Sequence, residues 1–421
     1  MNKESYTIEQ LTFGDYGHTL HHCQVISPDN NWIVYDTRNH DSEIGKTTRI
    51  ERVNIYTKEI ETLYETSNAN EFGPGVGAVT YSPNQNEVLF IHGINHANEE
   101  NPYGQSRRSG VLIKDHQPHN PIYMDARNIS FPYTVGALRG GTHSHCWNYN
   151  GDLISFTYND FVLEKANQPK ERVVGLMFNE KVEVKNADNI ENFSGQMYSV
   201  IISDIVNEAE YGSDQIEKAF DECWLGNTNS IVFQAWVRDV DGNKKTEIFK
   251  VDIPTNVNEL KYDKNEQHFY DPFKIPKSIY QKRVTRTLEG ISDFRHWLRS
   301  SPNGDSVFFL KKDDRNLNQL FRLNLHDLSI NQLTFSEKSI TSPFNISPDG
   351  EFAVYIKEGN LVYFNIFKGI EYNLIQNNFD LTGIPNFDKN GNAILYNQYV
   401  LNKNKESFIQ IFKIQLQLEQ L

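Results

Sequence analysis

The chain has 421 residues, 38% of them apolar and 23% charged, with a formal net charge of −14. So acidic a balance, with no basic stripe, excludes nucleic acid as an expected partner, because nothing would displace counterions from phosphates. No run approaches the roughly 18 apolar residues of a membrane span, and the start, MNKESYTIEQ, lacks the apolar segment of a signal peptide; the expected compartment is the cytoplasm.

Phe (26) and Tyr (21) are abundant while Met (4) is rare, and long helical periodicity is hard to find, which favours sheet. In chain order one unit recurs: a polar start, a short strand, a turn with Asp, Asn or Gly, then a second apolar strand. Its copies are HHCQVISPDNNWIVYDTR (21–38), GAVTYSPNQNEVLFIHG (77–93), HSHCWNYNGDLISFTYND (143–160) and, more weakly, ECWLGNTNSIVFQAWVRD (222–239). FRHWLRSSPNGDSVFFLKKD (294–313), TSPFNISPDGEFAVYIKEG (341–359) and LTGIPNFDKNGNAILYNQY (381–399) complete seven. Second hairpins follow several copies, as in RIERVNIYTKEIETLYE (49–65) and NQLFRLNLHDLSINQLTF (318–335). Each unit therefore supplies about four antiparallel strands. At roughly 60 residues per unit, above the ~40–50 of a minimal blade, the expected fold is an all-β, seven-bladed β-propeller with insertions.

The chain is read as one domain, 1–421. EQLTF (9–13) resembles the blade-ending NQLTF (331–335) yet precedes the first unit, so an N-terminal strand is expected to close the last blade after SFIQIFKIQLQ (407–417). Insertions are expected near 95–110, 186–220 and 255–285. DQIEKAFDE (214–222) reads as a short helix, and DVDGNK (239–244) as a hairpin turn rather than a calcium loop. Cys23, Cys146 and Cys223, an odd number without CxxC spacing, make a disulfide framework or zinc knuckle improbable; each reads as a small apolar group in a strand.

Aligned on their turns, the seven units place His22, Gly77, His143, Asp221, His296, Ser342 and Gly383 at one register position, the start of the innermost strand. Three of the seven are histidines, which would then face one another around the central channel. Strand alternation sends His145 the same way as His143, with His21 in reserve. Imidazoles so gathered suit a transition metal with open positions for water and substrate. A ligand channel without metal, or plain wet polarity, remains the alternative. Arg139, just before the strand, and Arg107 and Arg108, from an insertion, suit recognition of a carboxylate or phosphate.

The QLTF…SPDG blades resemble those of TolB-type propellers. Within that group TRIERVNIYTKEIETLYE, FPYTVGALRGGTHSHCWNYNGDLISFTYND and GSDQIEKAFDECWLGN resemble the YidR-type family, over roughly the first 250 residues. The resemblance implies the fold and hardly any activity. A more distant similarity is to oligogalacturonate lyases, seven-bladed propellers with manganese in the channel and a THPH tract at the start of an inner strand, to which Thr142-His143-Ser144-His145 is similar. That similarity implies His143 and His145 as metal ligands, His22 and His296 being candidates from register alone. Two readings follow. One is a metal-dependent lyase, with manganese as the expected ion, acting on small acidic sugars with Arg139 neutralising charge and Arg107 and Arg108 binding substrate. The other is a non-catalytic propeller that binds a protein or peptide across its channel face.

Overall fold

Short apolar runs closed by Pro, Asn and Gly turns fold as antiparallel hairpins. In the computed structural model, which describes residues 6–168, 171–185, 189–262 and 273–417, they assemble into seven sheets. At Ser347-Pro348-Asp349-Gly350 the turn closes as its residues dictate. Gly350 takes φ +79°, its N–H donates to Ser347 O at 2.9 Å, and the Ser347 hydroxyl accepts from Phe352 N at 2.9 Å.

Blade 3 is typical, with Gly140–Trp147 innermost, then Leu153–Asp160, Val173–Phe178 and Tyr198–Ile201. Blade 7 is closed by the N-terminus: Tyr6–Gln10 pairs antiparallel with Ser407–Leu416, Tyr6 opposite Leu416, outside Ala393–Leu401 and Leu381–Phe387. The expected closure is thus present. Blade 1 has three regular strands, Trp32–Asp36, Arg49–Asn54 and Ile60–Glu65. Its innermost segment meets the sheet at the bridges Thr19↔Asp36 and Ile26↔Ile33, with Val34 N donating to Val25 O at 2.8 Å, and residues 20–24 leave the sheet between them.

The core lies between blades. Val34 and Ile50 of blade 1 pack with Val76, Val79 and Phe90 of blade 2, and Phe308 and Leu310 of blade 5 with Phe344 and Tyr355 of blade 6. Each sheet so buries both faces against its neighbours. Among the described residues no helix is long and apolar enough to cross a membrane.

Two expectations need correction. Residues 214–222 are not a helix: Lys218–Trp224 is the inner strand of blade 4, paired with Ser230–Arg238, so cross-strand pairing and burial override local propensity. The expected insertions also hold blade strands, Arg108–Lys114 at the end of the first, Tyr198–Ile201 within the second and Gln281–Arg283 near the end of the third, while 186–188 and 263–272 lie outside the described residues. The DVDGNK turn is a hairpin between Ser230–Arg238 and Lys244–Asp252.

Four inner strands slip register at an equivalent place. The pairing skips between Gly77 and Thr80, His143 and Cys146, Phe220 and Cys223, and Thr382 and Asn386. Each slip carries a residue with positive φ: Ala78 (56°), Ser144 (57°), Asp221 (50°) and Gly383 (68°). These β-bulges turn side chains out of strict alternation where the strands line the channel.

Candidate functional site in the central channel

The starts of the inner strands surround a cavity of about 1230 Å³. Of the seven register positions His22, His143, Ser342 and Gly383 line it, with His21 and Ser144 beside them; His296 does not. Sequence register therefore brings together two of the three aligned histidines.

His296 is turned into the blade. Its Nδ1 donates to Phe294 O at 2.7 Å and its Nε2 accepts from Leu310 N at 3.1 Å, so both ring nitrogens serve the backbone and neither can take a metal. His145 is separated from His143 by the bulge at Ser144. Its ring lies against Gly110 of blade 2, where an added Cβ would sit 2.9 Å from Nε2, and that nitrogen bonds Thr142 Oγ1 at 3.0 Å. The expectation that His143 and His145 point together fails because alternation does not survive a bulge.

Arg139 is not at the channel. It is a partner of Asp160, Nη2 to Oδ2 at 2.9 Å, and covers the Tyr133 ring, its centroid 5.0 Å away. Arg107 is likewise committed. With the fully buried Arg127 it clasps Glu191, whose Oε2 accepts from Arg127 Nη2 at 3.0 Å. One carboxylate between two buried guanidiniums is a structural clamp. Glu191→Ala strands both cations, and is expected to lower unfolding free energy by about 3–5 kcal/mol in denaturant titration. Glu191→Gln, which keeps an acceptor, should lose less.

What converges on the cavity is a set of guanidiniums. Arg38 is neutralised by Asp36 at 2.7 Å and Asp41 at 2.9 Å. Arg295 stands over Trp297 and is within 3.5 Å of Asp41. Arg108, over the Tyr103 ring, and Arg172, beside the third strand of blade 3, both line the cavity. Among the described residues neither has a carboxylate within 4 Å, and Arg108 Nε is buried without a partner. His143 shares that cavity, 4% exposed, with no hydrogen-bond partner on either ring nitrogen. Burial first, then the nearby guanidiniums of Arg108 and Arg172, hold its pKa well below the usual imidazole range, so the ring is neutral at pH 7.

Arg172 escaped sequence reasoning because it begins an outer strand, outside the aligned register. Arg108 was found, as a pair with Arg107 that the fold splits.

A manganese cage does not fit these residues. The four expected histidines do not share a centre, and the charged groups acting on His143 are the guanidiniums of Arg108, Arg172 and Arg295 rather than the carboxylates that manganese favours. Among the described residues the group of metal-capable atoms within 4.8 Å of one another is His21, His22 and Cys23. There Arg299 Nη2 stands 3.3 Å from His22 Nδ1. A metal-bound imidazole needs an acceptor at its other nitrogen, and a guanidinium can only donate.

The family described as "Protein of unknown function (DUF3748)" matches residues 75–192. The "Uncharacterized protein YidR" of Escherichia coli (strain K12) is 31% identical over 378 residues, 87% of this chain and 88% of that protein. Among solved structures, an oligogalacturonate lyase in complex with manganese is similar with a TM-score of 0.58 at 11% identity, over 97% of this chain and 93% of that one. An oligogalacturonate lyase from Vibrio parahaemolyticus follows at 0.54 and 10%, over 98% and 97%. At such identities the similarity is one of fold.

Proposed function

This chain belongs to the YidR family, and we propose that its central channel binds a small acidic sugar of the uronate class and cleaves it by β-elimination. One observation carries the reading: in a protein of net charge −14, Arg108 and Arg172, with no carboxylate within 4 Å among the described residues and with the buried Asp221 tempering Arg172 from farther off, act on a neutral imidazole whose ring nitrogens have no hydrogen-bond partner, all in one cavity. A local cationic pocket of that kind selects an anion against the field of the whole molecule. The activity named for the similar lyase structures has the same substrate chemistry.

The chemistry follows from the groups. Arg108 and Arg172 pair with the uronate carboxylate and stabilise the negative charge that grows on it as the C5 proton leaves. His143 takes that proton. The C5–H electrons form the C4=C5 double bond as the bond from C4 to the glycosidic oxygen breaks, and the departing oxygen takes up the proton now carried by the His143 imidazolium, which returns to the neutral ring. Bound carboxylate beside His143 raises the depressed imidazole pKa towards working pH, so the substrate itself readies the base. Manganese has no assigned step here.

Titration calorimetry of digalacturonate tests the binding, with the neutral digalactose as control. Binding of the acidic sugar alone is expected, weakened about 10- to 100-fold by Arg172→Ala, the loss of one charge-assisted hydrogen-bond pair. Equal binding of both sugars, or no binding over a panel of uronides, would overturn the proposal and leave a protein or peptide partner across the channel face.

A further inference from the structure

At His22 the arginine-lined cavity adjoins a second cluster that the elimination chemistry does not use. Cys23 of blade 1 and Cys146 of blade 3, 123 residues apart in sequence, bring their sulfurs to 3.3 Å. His22 Nε2 faces both, at 3.6 Å from Cys146 Sγ and 3.8 Å from Cys23 Sγ. The imidazole is fixed from two sides. It stacks on Trp297, centroids 4.2 Å apart and planes 7° apart, and its Nδ1 faces Arg299 Nη2, which also donates to His22 O at 2.8 Å.

Arg299 decides the tautomer. Since a guanidinium only donates, Nδ1 accepts, and the proton of the neutral ring sits on Nε2, aimed at the two sulfurs. A donor held there stabilises a thiolate and opposes a metal ion. We propose that Cys23 and Cys146 are a redox-active dithiol that closes to a disulfide between blades 1 and 3, with His22 as the positioned donor.

Access sets the order of events. Cys23 is partly exposed and lines a second cavity of about 280 Å³ among the turns at the opposite end of the inner strands, beside Pro83, Pro348 and Lys389; Cys146 is 7% exposed. The oxidant is a hydroperoxide, entering by that mouth. Cys23 thiolate attacks the peroxide, an S–O bond forming as O–O breaks, and the departing oxygen takes up the proton that Cys23 lost. Cys146, whose burial and hydrogen bond to Cys23 hold its thiol protonated, gives up that proton as its sulfur attacks Cys23 Sγ; the S–S bond forms, S–O breaks, and the hydroxide leaves as water with that proton. Two thiols lose two electrons and the peroxide gains them. Cys223, whose sulfur donates to Trp224 O at 3.1 Å, is a built-in control outside the pair.

The experiment exposes the full chain to hydrogen peroxide, denatures it, and counts free thiols. A fall from three thiols to one, restored by dithiothreitol, with a peptide map joining Cys23 to Cys146, is expected. Cys146→Ser should stop at a Cys23 sulfenic acid trapped by dimedone, and Cys223→Ser should leave bridge formation intact. His22→Phe should slow thiol loss about tenfold, the effect of losing one hydrogen bond to a charged sulfur. Three surviving thiols under peroxide that oxidises free cysteine, a bridge to Cys223, or stoichiometric zinc on His22 that protects the thiols would each overturn the proposal. The wild-type count stands even where a serine variant fails to fold.

Discussion

Removing residues 1–13 is expected to lower the melting temperature by on the order of 10 °C. The deletion takes away the outer strand of blade 7, paired along its length from Tyr6 to Gln10, and leaves Ser407–Leu416 as an open edge. It also removes Leu11, fully buried between blades 7 and 1 with Ile411 and Tyr35, a loss of about 2–5 kcal/mol by itself. Thr12 goes with them, and its hydroxyl bridges Gln410 Oε1 at 3.0 Å and Ile411 N at 2.8 Å. The ring is closed by its own two ends, so the loss falls on the seam between the last blade and the first. An unchanged melt would mean that blade 7 stands on three strands and that closure adds nothing.

His143→Gln is expected to reduce elimination of digalacturonate about 10²- to 10⁴-fold, followed by ultraviolet absorbance of the unsaturated product, while binding changes only a few-fold. Glutamine fills a similar space and hydrogen-bonds but takes no proton. Equal loss of binding and turnover would make His143 a ligand contact and remove its role as base.

Most of the architecture was legible in the sequence because each blade repeats its own turn chemistry. Pro, Asn and Gly mark every inner hairpin, and the stray EQLTF announced the closure. The site was legible in part. Register found the two histidines that share the cavity, His22 and His143, because position along an inner strand is set by the repeat. It could not find the orientation of His145 and His296. A bulge at Ser144 and a backbone N–H at Leu310 decide those, and neither is encoded in spacing. The sulfur pair did leave a signal: HHC, HSHC and DEC set the three cysteines at matching places in their units, read as packing in strands, yet Cys23 lies where blade 1 leaves its sheet and Cys146 near the end of its strand. Arg139 illustrates the converse. Sequence neighbours of His143 need not face the same space, and Asp160 holds that guanidinium elsewhere.

A structure of the protein soaked with digalacturonate is the most direct test of the central claim. A carboxylate seated between Arg108 and Arg172, with the sugar's C5 turned towards His143, is the result this account predicts. Sugar bound elsewhere, or a cavity still empty of sugar at saturating concentration, would contradict it.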